Sequence, residues 1–510
     1  MTSLPQVSTR MRVAVIALTV AFGLLLSVWA TITPAFRGPD EVSHFSSAER
    51  MATAPAWPDP GDARMSGAVW GAFQERTTAA PERSTLGELR EADPGLTDRL
   101  DWMTQHPPLY YAVAGGFLAA IGGDALRWDH ALLALRLFDV LLVTPIVPLL
   151  FVSIRRITRS NAAGLVAAAT PFAIPQFQQI NSAVTNDALL TLLAAVVGWL
   201  SIRVITGDRR WQVLLGLGVA LGLTTFTKGT GLPAAALVLF ALLFGRGHPP
   251  RWPARIWQTV WPLATATAFG MFWWPLNVLR FGAIQPSATR SVRPDNPWPP
   301  GQGPNAYDYL VHLWDGFTLT FWGKVGALEF PIASPLVDIL SVISLAVLVV
   351  YGFRTAALRR VNLILVAQPI GTILLLVYGT WGVYTRTQMI VGVQGRYFFA
   401  CIVVLVAASA LAWMEYVRSP RARRGVGIGV LALGVLMTVH GLIIALAGFY
   451  GASHLKFTFG NVLTWLGVSP IGSVPTAAIA AAAAIACAGA ILLAGRELLP
   501  GRRATVPSAP

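Results

Sequence analysis

Asp40 and Glu41 stand side by side in the stretch Arg37-Gly38-Pro39-Asp40-Glu41-Val42-Ser43-His44-Phe45, with an imidazole three residues further on. Two carboxylates and a histidine suit acid–base work: one carboxylate can take the proton of an attacking hydroxyl while its neighbours hold the reacting groups. Pro39 fits the first turn of a helix, and Asp40 and Glu41 fit its positive end. Glu41 and His44, at i and i+3, would then share a face. The same residues also read as the solvated start of a surface helix. Four more groups could serve such a site. In Gln105-His106-Pro107-Pro108-Leu109-Tyr110-Tyr111 the prolines halt one helix and pre-set the next. That leaves His106, with Tyr110 behind it, at a helix start, able to meet a phosphate or a sugar or to serve only as a turn. Asn186 and Asp187 open an apolar run, where Asp is a common cap. Lys228 lies between Thr227 and Gly229, and glycines let an anion approach the backbone; a snorkelling lysine is the plainer reading. Gln394-Gly395-Arg396-Tyr397 offers a guanidinium fork suited to phosphate or carboxylate. Arg136 and Asp139, inside an apolar run at i and i+3, read as a mutual ion pair.

These groups must be positioned by membrane helices. The 510 residues are 55% hydrophobic and 12% charged, against roughly 25% charged in soluble chains. A globular enzyme is thereby excluded, and an all-α polytopic membrane helical bundle is expected. The net charge of +14 does not call for nucleic acid, because the arginines fall in short clusters between apolar runs, as in cytoplasmic loops. Cys401 and Cys487 lie inside such runs, so no disulfide framework is expected.

A span needs about 20 apolar residues. Twelve runs qualify as candidates: 13–32, 131–152, 162–180, 188–205, 211–227, 231–245, 257–279, 336–353, 361–381, 397–417, 425–449 and 475–495. A thirteenth, 107–123, is short and begins with two prolines. If it does not cross, Arg155, Arg156, Arg209, Arg210, Arg251, Arg255, Arg354, Arg359, Arg360, Arg421, Arg423, Arg502 and Arg503 all fall on one side; if it crosses, every cluster after it moves outside. Lysine and arginine bias sets orientation, so 107–123 is expected to be a re-entrant or juxtamembrane helix, with both termini cytoplasmic. The outer face then holds 33–130, 181–187, the turn near Lys228, a long loop at 280–335 rich in Pro, Gly, Trp and Tyr, 382–396 and 450–474. The part up to Pro107 carries 12 of the 24 acidic residues and has room for two or three surface helices. The 280–335 loop reads as a lid, an acceptor-binding loop or a connector. Asp40, Glu41, His44, His106, Asp187, Lys228 and Arg396 all fall on this outer side.

In that order, Pro-Asp-Glu-x-x-His-Phe, His-Pro-Pro-Leu-Tyr-Tyr, Asn-Asp-Ala-Leu-Leu, Thr-Lys-Gly-Thr-Gly and Gln-Gly-Arg-Tyr resemble the C-type (GT-C) membrane glycosyltransferase superfamily over about residues 30–400. The chain is most similar to a bacterial branch of membrane proteins with a Pro-Asp-Glu-Pro-x-His-Phe opening, here with Val42 in place of the second proline. The protein O-mannosyltransferases and lipid A aminoarabinose transferases are relatives of that superfamily; the latter have lysine at His106. The resemblance implies a GT-C catalytic module over 1–417, followed by C-terminal helices and a cytoplasmic tail over 418–510. It implies inverting transfer of a sugar from a polyprenyl-phosphate donor to a glycan, lipid or protein acceptor, on the outer face of a bacterial plasma (inner) membrane. Asp40 matches the general base, with Glu41 beside it. His44, His106, Tyr110, Asn186, Asp187, Lys228, Arg396 and Tyr397 would bind substrate. Asp40, His44 and Asp187 could hold a divalent metal, as the superfamily's oligosaccharyltransferases do; the mannosyl and aminoarabinose branches need none, and no cofactor is expected. A transporter or flippase for a lipid-linked intermediate, or a non-catalytic envelope-assembly protein, would use the same outer charges without a base.

The orientation is open to direct measurement. In a chain lacking Cys401 and Cys487, Arg359→Cys should react with an impermeant maleimide only from the cytoplasmic side, and Glu82→Cys only from the outer side. The opposite labelling would invert the topology.

Overall fold

Backbone amides in lipid have no water to bond, so apolar runs at membrane depth fold as helices. The computed structural model describes residues 4–288, 294–451 and 456–499; the tail with Arg502 and Arg503 lies outside them, as do residues 289–293 and 452–455 of the expected outer loops. Among the described residues, eight helices are long and apolar enough to cross a membrane: Thr9–Ile32, Trp128–Thr158, Asn186–Ile205, Ser334–Gly352, Ala356–Thr387, Gly395–Tyr416, Pro420–Tyr450 and Ser473–Leu498. The chain is an all-α polytopic membrane bundle, with fewer uninterrupted spans than the twelve expected.

The missing spans have local causes. The 162–180 run is broken into Asn161–Ala168, a 3-10 turn at Thr170–Ala173 and Pro175–Ile180. Pro171 and Pro175 remove the amides that a continuous helix would need. The buried glutamines that follow satisfy groups around the break: Trp29 Nε1 donates to Gln178 Oε1 at 2.9 Å, Gln178 Nε2 donates to the Phe172 carbonyl at 2.9 Å, and the Lys324 amide donates to Gln176 Oε1 at 2.6 Å. The 257–279 run divides at a π-turn, Thr267–Met271, where Gly270 takes φ 152°. Two others form shorter apolar helices, Trp211–Thr225 and Gly229–Phe244.

Five helices frame the site. Helix α1 (Thr9–Ile32) is held at its start by Ser8, whose side chain accepts the Met11 amide. Helix α2 is Glu41–Thr53, α3 is Leu109–Ala120, α4 is Trp128–Val143 and α5 is Asn186–Ile205. At 12 residues α3 is about 18 Å long and cannot cross a hydrocarbon core of about 30 Å; it packs on α2. Between α2 and α3 run two short helices, Gly67–Gln74 and Leu86–Ala92, and a feature absent from the sequence reading, an antiparallel ribbon of β1 (Arg64–Ser66) and β2 (Leu96–Leu100) with Arg64 opposite Leu100. This segment carries its own apolar cluster. Phe36, Phe45, Leu86, Tyr110, Tyr111 and Trp128 are buried together, and Phe36 stacks on Trp128 at 5.6 Å.

The 280–335 stretch is irregular only in part. It contains a 17-residue helix, α6 (Ala306–Trp322), capped by Asn305, whose side chain accepts the Tyr307 amide at 2.9 Å. Tyr309 on this helix packs edge-on to Trp381 at 4.9 Å.

The expected pairing of Arg136 with Asp139 does not form. Arg136 instead grips Glu41 through two bonds of 2.7 Å, from Nε to Oε1 and from Nη2 to Oε2. Its remaining donors reach the carbonyls of Ala30 at 2.7 Å, Thr33 at 2.6 Å and Pro34 at 2.9 Å. Glu41 also accepts the amides of Val184 at 3.1 Å and Gly38 at 3.3 Å. Asp139 faces away and accepts the Tyr110 hydroxyl at 2.8 Å and the Thr185 amide at 2.9 Å. Removing one partner from a buried, fully bonded pair costs about 3–5 kcal/mol. Arg136→Met is therefore expected to lose that much stability, measured by thermal unfolding in detergent; a loss below about 1 kcal/mol would show that the clamp does not hold the bundle.

Candidate functional site

Asp40 is set apart from Glu41 by one backbone angle. The helix begins at Glu41, two residues later than Pro39 suggests, and Asp40 is its N-cap with φ 58° and ψ 13°. Asp tolerates this left-handed conformation better than most residues. Its carbonyl accepts the amides of Ser43 and His44 at 3.0 and 3.1 Å, while its side chain makes no capping bond. The carboxylate is thus free to point away from the helix, and it remains 39% exposed. Gly38 permits the turn below it, because a Cβ there would come within 2.8 Å of Ala183 Cβ.

Arg396 Nη2 meets Asp40 Oδ2 at 3.2 Å. Lys228 Nζ meets Asp187 Oδ1 at 2.6 Å, at the start of α5. The two cations lie over the same ring: Lys228 Nζ is 5.4 Å and the Arg396 guanidinium carbon 5.5 Å from the centre of Tyr397. Four charged groups remote in sequence thus form two ion pairs about one tyrosine. Glycine at 395 is required for this placement, since a Cβ would fall 1.9 Å from the Phe317 carbonyl of α6.

The two histidines lie in the electrostatic field of this group. His44 Nδ1 lies 3.0 Å from the Tyr111 hydroxyl, and Nε2 lies 3.5 Å from Thr185 Oγ1. Burial holds its imidazole well below the ordinary histidine range, and Lys228 adds to the effect. His106 does not open a helix. It closes a 3-10 turn, Trp102–Gln105, two residues before the Pro108 cap of α3, and its carbonyl accepts Trp57 Nε1 at 3.1 Å. Burial, then Lys228 and His44, hold its imidazole well below the ordinary range as well.

Several buried polar atoms beside these groups have no hydrogen-bond partner: His106 Nδ1, both amide atoms of Asn186, Asp187 Oδ2, Arg396 Nε and Gln394 Oε1. Buried polar groups are ordinarily bonded, so this concentration of unused donors and acceptors suits a polar ligand. Glu41 and Tyr110 differ: their side-chain oxygens are engaged by Arg136 and Asp139, and both residues are buried. Tyr111, in the His-Pro-Pro-Leu-Tyr-Tyr motif, and Thr185, just before Asn186, flank His44. Trp57, which stacks on Tyr111 at 4.9 Å, lies among prolines with no signal of its own. Among the described residues no three His, Cys, Asp or Glu side chains gather closely enough to hold a metal ion; the trio Asp40, His44 and Asp187 does not fit one, two of its members being turned to cations.

No curated protein sequence matches the chain. Among solved structures it is similar to ArnT from Cupriavidus metallidurans bound to undecaprenyl phosphate, with 15% identity and a TM-score of 0.46 over 95% of this chain and 77% of that one. It is also similar to the Archaeoglobus fulgidus oligosaccharyltransferase in complex with zinc and sulfate, with 12% identity and a TM-score of 0.44 over 87% and 57%. A family model matches residues 22–406, a stretch that includes Asp40, both histidines, Asp187, Lys228 and Arg396. The chain therefore belongs to the family described as predicted membrane protein (DUF2142).

Proposed function

We propose that this protein is a membrane glycosyltransferase that moves a sugar from a polyprenyl-phosphate donor to a glycan, lipid or protein acceptor on the outer face of a bacterial plasma membrane, with inversion. The observation that carries the reading is the contrast between the adjacent acids: Asp40 is open on one side and paired to a single cation, whereas Glu41 is saturated. Asp40 takes the proton of the acceptor hydroxyl as its oxygen attacks the anomeric carbon. The bond from that carbon to the phosphate oxygen breaks, and the lipid phosphate leaves as an anion. Lys228 and Arg396 neutralise the charge that develops on it. As the phosphate takes up the guanidinium, Asp40 is released from Arg396 to act as base. His44 and His106, both uncharged at neutral pH, and the two unbonded atoms of Asn186 hold sugar hydroxyls. Asp187 fixes Lys228, and Tyr397 seats both cations. Glu41 and Tyr110 are assigned to the scaffold and leave the list of reacting or binding groups.

Purified protein in lipid would be given radiolabelled polyprenyl-phosphate sugars with envelope extract. Asp40→Asn should lower transfer by about 10²–10⁴-fold without altering the unfolding temperature. Equal handling of the lipid by both proteins, with no transfer, would sink the transferase and favour transport or scaffolding. Lys228→Met should lower the rate and, by leaving Asp187 buried without its cation, the stability as well, whereas Glu41→Gln should lower stability alone.

A second test uses the histidines. The folded chain binds protons on His44 and His106 less readily than the unfolded chain does, so their contribution is intact above about pH 6.5 and is lost as pH falls below it. The unfolding temperature should fall from pH 6.5 to pH 5, and the fall should be shallower in a His44→Gln, His106→Gln double variant. An identical slope in both would show that these imidazoles are not held neutral.

A further inference from the structure

A second site lies away from Asp40. The helix Ala234–Phe244 and the helix Ala356–Thr387 border a groove of about 950 Å³. Its wall on the first helix is a stripe at every fourth residue, Ala236, Phe240 and Phe244; on the second it runs through Leu363, Ala367, Ile370 and Leu374. Phe240, Phe244, Leu363, Ile370 and Leu374 are also exposed on the outside of the bundle, so the groove opens on its lipid-facing side. From Arg360 to Leu374 the helix rises about 21 Å, enough to run from a head-group to beyond the roughly 15 Å of hydrocarbon in one leaflet.

One end of this groove is strongly basic. His248, Arg255, Arg359 and Arg360 line it, and no acidic residue does. Among the described residues none of the four pairs with a carboxylate. Their hydrogen bonds go to backbone carbonyls: Arg255 and His248 to Pro249, Arg359 to Phe353 and Arg360 to Phe244. A guanidinium has five donors, so most remain available. The two arginines also sit in the first turns of a 32-residue helix that has no acid in its first turn. Positive charge there is opposed by the helix dipole. Three arginines, an imidazole and a positive helix end thus converge on the mouth of an apolar channel without an anion to balance them.

We propose that this groove binds an anionic phospholipid of the cytoplasmic leaflet, with the phosphate held by Arg255, Arg359 and Arg360 and one acyl chain laid between the two helices. Basic pockets between membrane helices on the cytoplasmic side recognise such head-groups. The arginine-bearing loops at this end are the ones the charge bias assigns to the cytoplasm. Charge selects the head-group, and the channel requires a chain attached to it.

Native mass spectrometry of the detergent-purified protein would be run with phosphatidylglycerol, phosphatidylcholine and glycerol phosphate. Wild type should retain phosphatidylglycerol over phosphatidylcholine by at least tenfold, and millimolar glycerol phosphate should not displace it. Each arginine near the surface contributes about fivefold, so Arg359→Gln with Arg360→Gln should erase the preference. Ala367→Phe fills the channel and keeps all four basic groups; it should lower retention as much. Retention unchanged by Ala367→Phe would mean diffuse attraction to a basic surface and would overturn the site. So would displacement by glycerol phosphate, no preference in wild type, or a preference that survives loss of both arginines.

Discussion

The architecture around the site depends on one buried guanidinium. Arg136 has five N–H donors, and all five are used: two on the Glu41 carboxylate and three on the carbonyls of Ala30, Thr33 and Pro34. The carbonyls belong to the end of α1 and the turn that follows, the carboxylate to the start of α2, and the guanidinium to α4. Glu41 extends the contact to the 181–187 turn through the Val184 amide. A charge in a low-dielectric interior is costly unless paired and bonded throughout. Here the cost is offset only when four chain segments sit in one arrangement, and that arrangement places Asp40 beside Arg396.

The membrane class was legible because it follows from composition and run length alone. The number of continuous spans was not, because Pro171, Pro175 and Gly270 interrupt runs whose apolar character is unbroken. Hydropathy counts side chains, whereas these breaks are set by the backbone. Helix α6 escaped notice for the opposite reason: Trp314, Gly316 and the threonines at 318 and 320 are indifferent helix formers, and the helix is specified by the Asn305 cap and by packing against Trp381 and Tyr384.

The grouping of the site residues was partly legible. Lys228 with Asp187 and Arg396 with Asp40 are expected on one side from topology, and they do meet; topology alone does not say which meets which. Spacing points Arg136 to Asp139 because neighbours on one helix are visible in a sequence, while Glu41, 95 positions away, is not. The adjacent acids Asp40 and Glu41 looked equivalent. They were separated by a left-handed backbone at Asp40 and by a demand for charge at Arg136, neither of which leaves a local signature.

The balance of charge at the site has a kinetic consequence. Two carboxylates face two cations around Tyr397, and the histidines beside them are neutral, so the group carries no net charge. An incoming anion gains from well-placed donors but is not drawn by a surplus of positive field. In a transferase the spent lipid carries more negative charge than the donor did. A cationic trap would grip that by-product hardest and stall after one turnover. Under the proposed transfer reaction, internal neutrality lets Asp40 and Asp187 reclaim their partners and displace the spent lipid, so the two ion pairs serve as its competitor.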